Sequence, residues 1–133
     1  MTEERKTYKV LLLDDDRFLI DMYCMKFSQE GHAPQAYMSV SAALDALEDG
    51  FVPDAMVFDL VMPEQDGFYF LEKAREYAKK SGAALIALTN QSNDTDIKRA
   101  EELGVDEYIV KATTIPSEVV NMVTRTIEKH HKA

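Results

Sequence analysis

The chain has 133 residues, a formal net charge of −9 and a pI near 4.7, a size that fits one domain with a real hydrophobic core. The acidic balance excludes nonspecific nucleic-acid binding, which needs a cationic footprint, so any DNA-binding role would require a further domain. No apolar run reaches the length of a bilayer span, and the opening Met-Thr-Glu-Glu-Arg-Lys lacks the apolar core of a signal peptide; the expectation is a cytoplasmic protein without membrane contact.

Apolar runs and amphipathic stretches alternate along the chain. Val10–Leu13 is a short apolar run suited to a strand buried on both faces. Leu19, Met22, Tyr23 and Phe27 repeat at helical spacing, and Gly31 supplies the stop. The lone cysteine, Cys24, falls in this helix and reads as a packed thiol; it excludes an intrachain disulfide and fits a reducing compartment. Ala33–Tyr37 is a weak second strand, and Ser41–Glu48 a helix with Ala43, Leu44 and Leu47 on one face. Ala55–Phe58 is the third strand, followed by a turn with Pro63 and Asp66-Gly67. Phe68–Lys80 predicts the third helix, Ala84–Leu88 the fourth strand, Thr95–Leu103 the fourth helix and Tyr108–Val110 the fifth strand. The last helix starts near Pro116 or Ser117, with Ser117 a candidate cap and Val119, Val120, Val123 and Ile127 facing inward. Residues 1–7 and 129–133 are expected to fray.

Five strands alternating with five helices predict an α/β fold: a flavodoxin-like three-layer sandwich around a five-stranded parallel sheet of order 2-1-3-4-5. Residues 1–133 read as one domain, with no repeat, linker or output domain.

In such a fold, ligands sit beyond the carboxyl ends of the strands. There the first strand runs into Asp14-Asp15-Asp16, the third into Asp59, the fourth into Thr89 and the fifth into Lys111. Converging carboxylates repel one another, and a hard dication relieves that conflict. Oxygen donors without His or Cys point to Mg²⁺, with Mn²⁺ as a substitute. A carboxylate nucleophile, a dication, a fixed ammonium and a hydroxyl are together the parts of a phosphoryl acceptor. Asp59 would be the nucleophile, Lys111 the ammonium and Thr89 the hydroxyl. An acidic run is otherwise a solvated face; four reactive groups at successive strand ends favour a site.

These segments resemble a known family. Val10-Leu11-Leu12-Leu13-Asp14-Asp15-Asp16 is similar to the first strand and acidic pair of response regulator receiver domains. The segment from Phe58 to Gly67 resembles their phosphoacceptor segment, including Met62-Pro63 and Asp66-Gly67. Leu88-Thr89 and the run Tyr108-Ile109-Val110-Lys111 match the fourth- and fifth-strand motifs. The resemblance implies that Asp59 accepts phosphate from the phosphohistidine of a sensor histidine kinase. It implies Mg²⁺ held by Asp15, Asp59 and the backbone carbonyl of Val61, with Asp14 assisting through water. Thr89 and Lys111 would bind phosphoryl oxygens. Thr89 and Tyr108 would then switch the face formed by the fourth helix, fifth strand and fifth helix, where an unidentified downstream protein docks.

Three positions depart from the family's pattern. Ala112 stands where proline usually follows the lysine, which predicts a trans peptide after Lys111. Asn90 stands where a small residue is common, able to narrow the site or bond to its neighbours. Asp16 is a third consecutive carboxylate and reads as the cap of the first helix. Val61 leaves no polar side chain two residues past the acceptor to orient water, and Gln91 is the candidate for that role. Two other readings remain: a receiver-like scaffold that binds partners without phosphorylation, and an aspartyl-phosphate hydrolase.

Overall fold

The computed structural model describes residues 6–62 and 66–132, so Pro63 lies outside the described residues. The elements, in chain order, are β1 (Lys9–Leu13), α1 (Arg17–Gln29), β2 (Ala33–Tyr37), α2 (Val40–Glu48), β3 (Ala55–Phe58), α3 (Gly67–Ser81), β4 (Ala84–Thr89), α4 (Asp94–Glu102), β5 (Glu107–Val110), a 3₁₀ turn (Lys111–Thr113) and α5 (Pro116–Lys132). All strand pairings are parallel, and the sheet order is β2-β1-β3-β4-β5. The expected fold is therefore the observed one.

The sheet's side chains alternate between two cores, as the two-residue period of a strand requires. Leu11, Leu13, Met56, Phe58, Leu85 and Ala87 face α2 and α3, where Leu47, Phe70, Leu71 and Ala74 are buried. Val10, Leu12, Val57, Ile86 and Leu88 face α1 and α5, meeting Ile20, Phe27, Val119, Val123 and Ile127. Phe58, fully buried and 5.4 Å from the Phe70 ring centroid, would cost about 3–5 kcal/mol if cut to alanine. Edge strand β2 is only half covered, which explains its weak sequence signal.

Caps set the helix starts. Asp16 accepts the Leu19 N–H at 3.2 Å, as expected, and Ser39, Asp66 and Asn93 cap α2, α3 and α4 in the same way. The last helix starts where expected but is not capped as expected. It begins at Pro116, and the Ile115 carbonyl accepts the Val119 N–H at 3.1 Å, so Ser117 lies inside the first turn and caps nothing. Residues 129–132, expected to fray, continue this helix.

Candidate functional site

Parallel connections bring every strand's carboxyl end to one edge of the sheet. The register places Leu13 beside Phe58, Phe58 beside Ala87, and Thr89 beside Val110. The residues that follow emerge together: Asp14 and Asp15 from β1, Asp59 from β3, Lys111 from β5, with Thr89 closing β4. Main-chain bonds carry the ladder into this edge, since Asp59 N–H donates to the Leu13 carbonyl at 2.9 Å and Asp14 N–H to the Tyr37 carbonyl at 3.2 Å.

Lys111 Nζ lies 2.6 Å from Asp14 Oδ2 and 2.8 Å from Asp59 Oδ2, with all three side chains at most 10% exposed. Asp14, Asp15 and Asp59 each offer an oxygen, and these three atoms lie within 4.8 Å of one another. Asp14 and Asp59 are buried, whereas Asp15 opens to solvent. Burial pushes the Asp14 carboxyl above the usual range, with Lys111 and the Asp16 N–H pulling it only partly back. Burial also works against the Lys111 ammonium, but its hydrogen bonds to Asp14 and Asp59 prevail and hold its pKa above that of a free lysine. Three carboxylates thus face one ammonium, a deficit of positive charge in a poorly solvated place. A hard dication with oxygen preferences fits this donor set, and exposed Asp15 leaves it access to water.

The two buried carboxylates are each aimed by their own loop. Asp16 N–H donates to Asp14 Oδ1 at 2.9 Å, and Val61 N–H donates to Asp59 Oδ1 at 3.2 Å. These bonds occupy one oxygen of each pair and leave Oδ2 to face Lys111. Thr89 is 1% exposed, and its Oγ1 accepts the Gln91 N–H at a long 3.4 Å. The Tyr108 hydroxyl donates to the Gln91 carbonyl at 2.5 Å, so one residue's backbone contacts both.

Two features were not read from the sequence, and a third was left open there between two roles. Gly67 opens α3 with its N–H on the Leu60 carbonyl at 2.9 Å; a Cβ there would sit 2.0 Å from the Asp59 carbonyl oxygen. Asp-Gly signals a turn, but nothing in the sequence reveals that contact. The Gln91 main chain, rather than its side chain, makes the bonds to Thr89 and Tyr108. The Asn90 side-chain carbonyl accepts the Ala112 N–H at 2.9 Å, the second of the two roles open to it. No cis peptide occurs among the described residues, so the Lys111–Ala112 bond is trans, as expected.

The response regulator receiver domain family model matches residues 10–124. The chain belongs to that family. It is 31% identical over 103 residues to the transcriptional regulatory protein BasR of Escherichia coli, covering 77% of this chain and 45% of the relative. It is 41% identical over 69 residues to the sensor histidine kinase CheAY of Helicobacter pylori, covering 51% of this chain and 9% of that protein. It thus spans about half or less of these relatives. The CheY-like receiver domain protein of Methanospirillum hungatei superposes with a TM-score of 0.86 at 22% identity, covering 96% of this chain and 98% of its own. The receiver assignment makes this a phosphoacceptor signalling domain. Among the described residues, no helix is long and apolar enough to cross a membrane.

Proposed function

We propose that Asp59 is the phosphoacceptor, and the observation that carries this is the Lys111 ammonium 2.8 Å from Asp59 Oδ2 inside a three-aspartate cluster. In the transfer, an Asp59 carboxylate oxygen forms a bond to phosphorus as the bond from phosphorus to a donor histidine nitrogen breaks, and the electron pair leaves on the imidazole. Lys111 then shifts its contact from the carboxylate to a phosphoryl oxygen, and the Thr89 hydroxyl donates to another. Asp14, Asp15, Asp59 and the Val61 carbonyl would hold Mg²⁺, or Mn²⁺ in its place, which when bound neutralises charge on the phosphoryl oxygens. The donor is a sensor histidine kinase, the class to which one relative belongs by name, and the setting is the cytoplasm.

The consequence of phosphorylation follows from Gln91. Drawing the Thr89 hydroxyl toward a phosphoryl group competes with its bond to the Gln91 N–H at 3.4 Å. Gln91 also holds the half-buried Tyr108 through its carbonyl. A change at Thr89 therefore reaches Tyr108 in β5 and alters the face of α4, β5 and α5, where a downstream protein docks. Val61, with an exposed aliphatic side chain, presents no acid for leaving-group chemistry, which argues against the hydrolase reading.

Acetyl phosphate with Mg²⁺ followed by Phos-tag electrophoresis tests the assignment. The wild type is expected to give a shifted band and Asp59→Asn none; equal labelling of the two removes Asp59 as acceptor.

A further inference from the structure

We propose that Asn90 is a positioning residue for phosphoryl transfer, acting as a side-chain rung that ties the Lys111 turn to the end of β4; this rests on the reading of Asp59 as acceptor. The last paired residues of β4 and β5 are Thr89 and Val110. Just beyond them, one residue past Thr89 and two past Val110, Asn90 Oδ1 accepts the Ala112 N–H at 2.9 Å, joining loops 22 residues apart. A backbone N–H can only donate, which fixes the amide's carbonyl oxygen, rather than its NH₂, toward Ala112. The side chain thereby does what another main-chain carbonyl would do if the β4–β5 ladder continued.

The location gives this bond its role. Asn90 directly follows Thr89, and Ala112 directly follows Lys111, so each end of the rung adjoins one of the groups assigned to phosphoryl oxygens. The 3₁₀ turn that begins at Lys111 has long internal bonds: Thr114 N–H to the Lys111 carbonyl at 3.3 Å and Thr113 Oγ1 to the Val110 carbonyl at 3.4 Å. The Asn90 bond is shorter than either and links the turn to the neighbouring strand. Its donor exists because residue 112 is not proline, which has no N–H. Asn90 and Ala112 therefore act as a pair: one supplies the acceptor, the other the donor, and together they hold Lys111 against Asp59 and at a set distance from Thr89. Positioning errors well under an ångström matter for in-line transfer.

Two measurements on the full chain test this. Amide hydrogen exchange by NMR should find the Ala112 N–H protected in the wild type, with protection falling about tenfold in Asn90→Ala. The second-order rate constant for labelling by acetyl phosphate and Mg²⁺ should fall about fivefold in Asn90→Ala, the weight of one neutral hydrogen bond. Ala112→Pro, which deletes the donor, makes the cycle diagnostic: in its background, adding Asn90→Ala should change the rate by less than twofold. Should Ala112→Pro fail to fold by circular dichroism, the exchange and single-variant rates decide alone. An unprotected Ala112 amide in the wild type, or Asn90→Ala labelling within twofold of wild type, overturns the proposal. So do additive effects in the cycle, since they place Asn90's influence elsewhere. Failure of the underlying reading looks different: the wild type itself would then label no better than Asp59→Asn.

Discussion

At the amino-terminal edge of the sheet, Asp54 and Asp106 each precede a strand and exchange bonds with a neighbouring strand. Asp54 Oδ2 accepts the Lys9 N–H at 2.8 Å while its own N–H donates to the Lys9 carbonyl at 2.7 Å; Asp106 does the same with Leu85, at the same two distances. At the carboxyl edge, Asp14, Asp15 and Asp59 bring one oxygen each within 4.8 Å of one another, and Lys111 pairs with Asp14 and Asp59. The residue type is the same at both edges. A carboxylate that accepts a main-chain N–H, as Asp54 does from Lys9 and Asp106 from Leu85, is a structural pin. Carboxylates that outnumber their cations retain charge for a ligand to neutralise, and that unmet demand is what makes the carboxyl edge the candidate site.

The comparison can be broken most forcefully at Asp59. Asp59→Asn is expected to abolish labelling yet raise the melting temperature by about 2–5 °C, because it removes one of three mutually repelling carboxylates. A lower melting temperature would mean that the pairing with Lys111 outweighs the repulsion and that the site is a structural pin after all. At the other edge, Asp54→Ala should do the reverse. It is expected to cost about 1–3 kcal/mol of stability in chemical denaturation, since the Lys9 N–H loses its partner, with labelling within twofold of wild type. Loss of labelling without loss of stability would erase the distinction between the edges.

The smallest effect concerns acid. His32 Nδ1 accepts the Tyr8 N–H at 3.2 Å and its ring stacks on Tyr8 at 5.4 Å. Burial holds its pKa below that of a free histidine, with Glu30 and Glu128 opposing the shift. The unfolded chain therefore takes up the proton first as pH falls. The stabilisation from neutral His32 is present above a pH of about 6.5 and is lost as pH falls through the lower folded value. Denaturation midpoints between pH 7.5 and 5.5 should decline in the wild type and decline less in His32→Gln. Equal slopes would remove His32 from the acid response.

The strands and the site's membership were legible because their causes are local. A buried strand needs an unbroken apolar run, so Ala55–Phe58 matches the reading to the residue. A charge directly after such a run can only emerge at the sheet's edge, which located Asp14, Asp59 and Lys111. Helix starts were less legible because a cap depends on which neighbour folds back. Ser39 caps α2, so that helix includes Val40, and Ser117, expected to cap, falls inside α5. The bonds of Asn90 to Ala112 and of the Gln91 carbonyl to Tyr108 join residues distant in the chain, and the Gly67 contact depends on how the loop after Asp59 folds back; composition and spacing do not encode such meetings.

Gly67 has a bearing on how strain is distributed. Its Cα packs so tightly on the Asp59 carbonyl that no side chain fits, and its N–H anchors α3 to Leu60 at 2.9 Å. Asp59 and the start of α3 are thereby held in direct backbone contact. On the opposite flank, the β4–α4 loop is held to Thr89 by a bond of 3.4 Å. Asp59 thus meets a backbone contact with no room to yield on one side, while Thr89 on the other is held by the longest hydrogen bond of the site, in a loop that Gln91 and Asn90 tie to Tyr108 and Ala112. A missing methyl group therefore lets the start of α3 close on Asp59, a fit that any larger residue at position 67 would force apart.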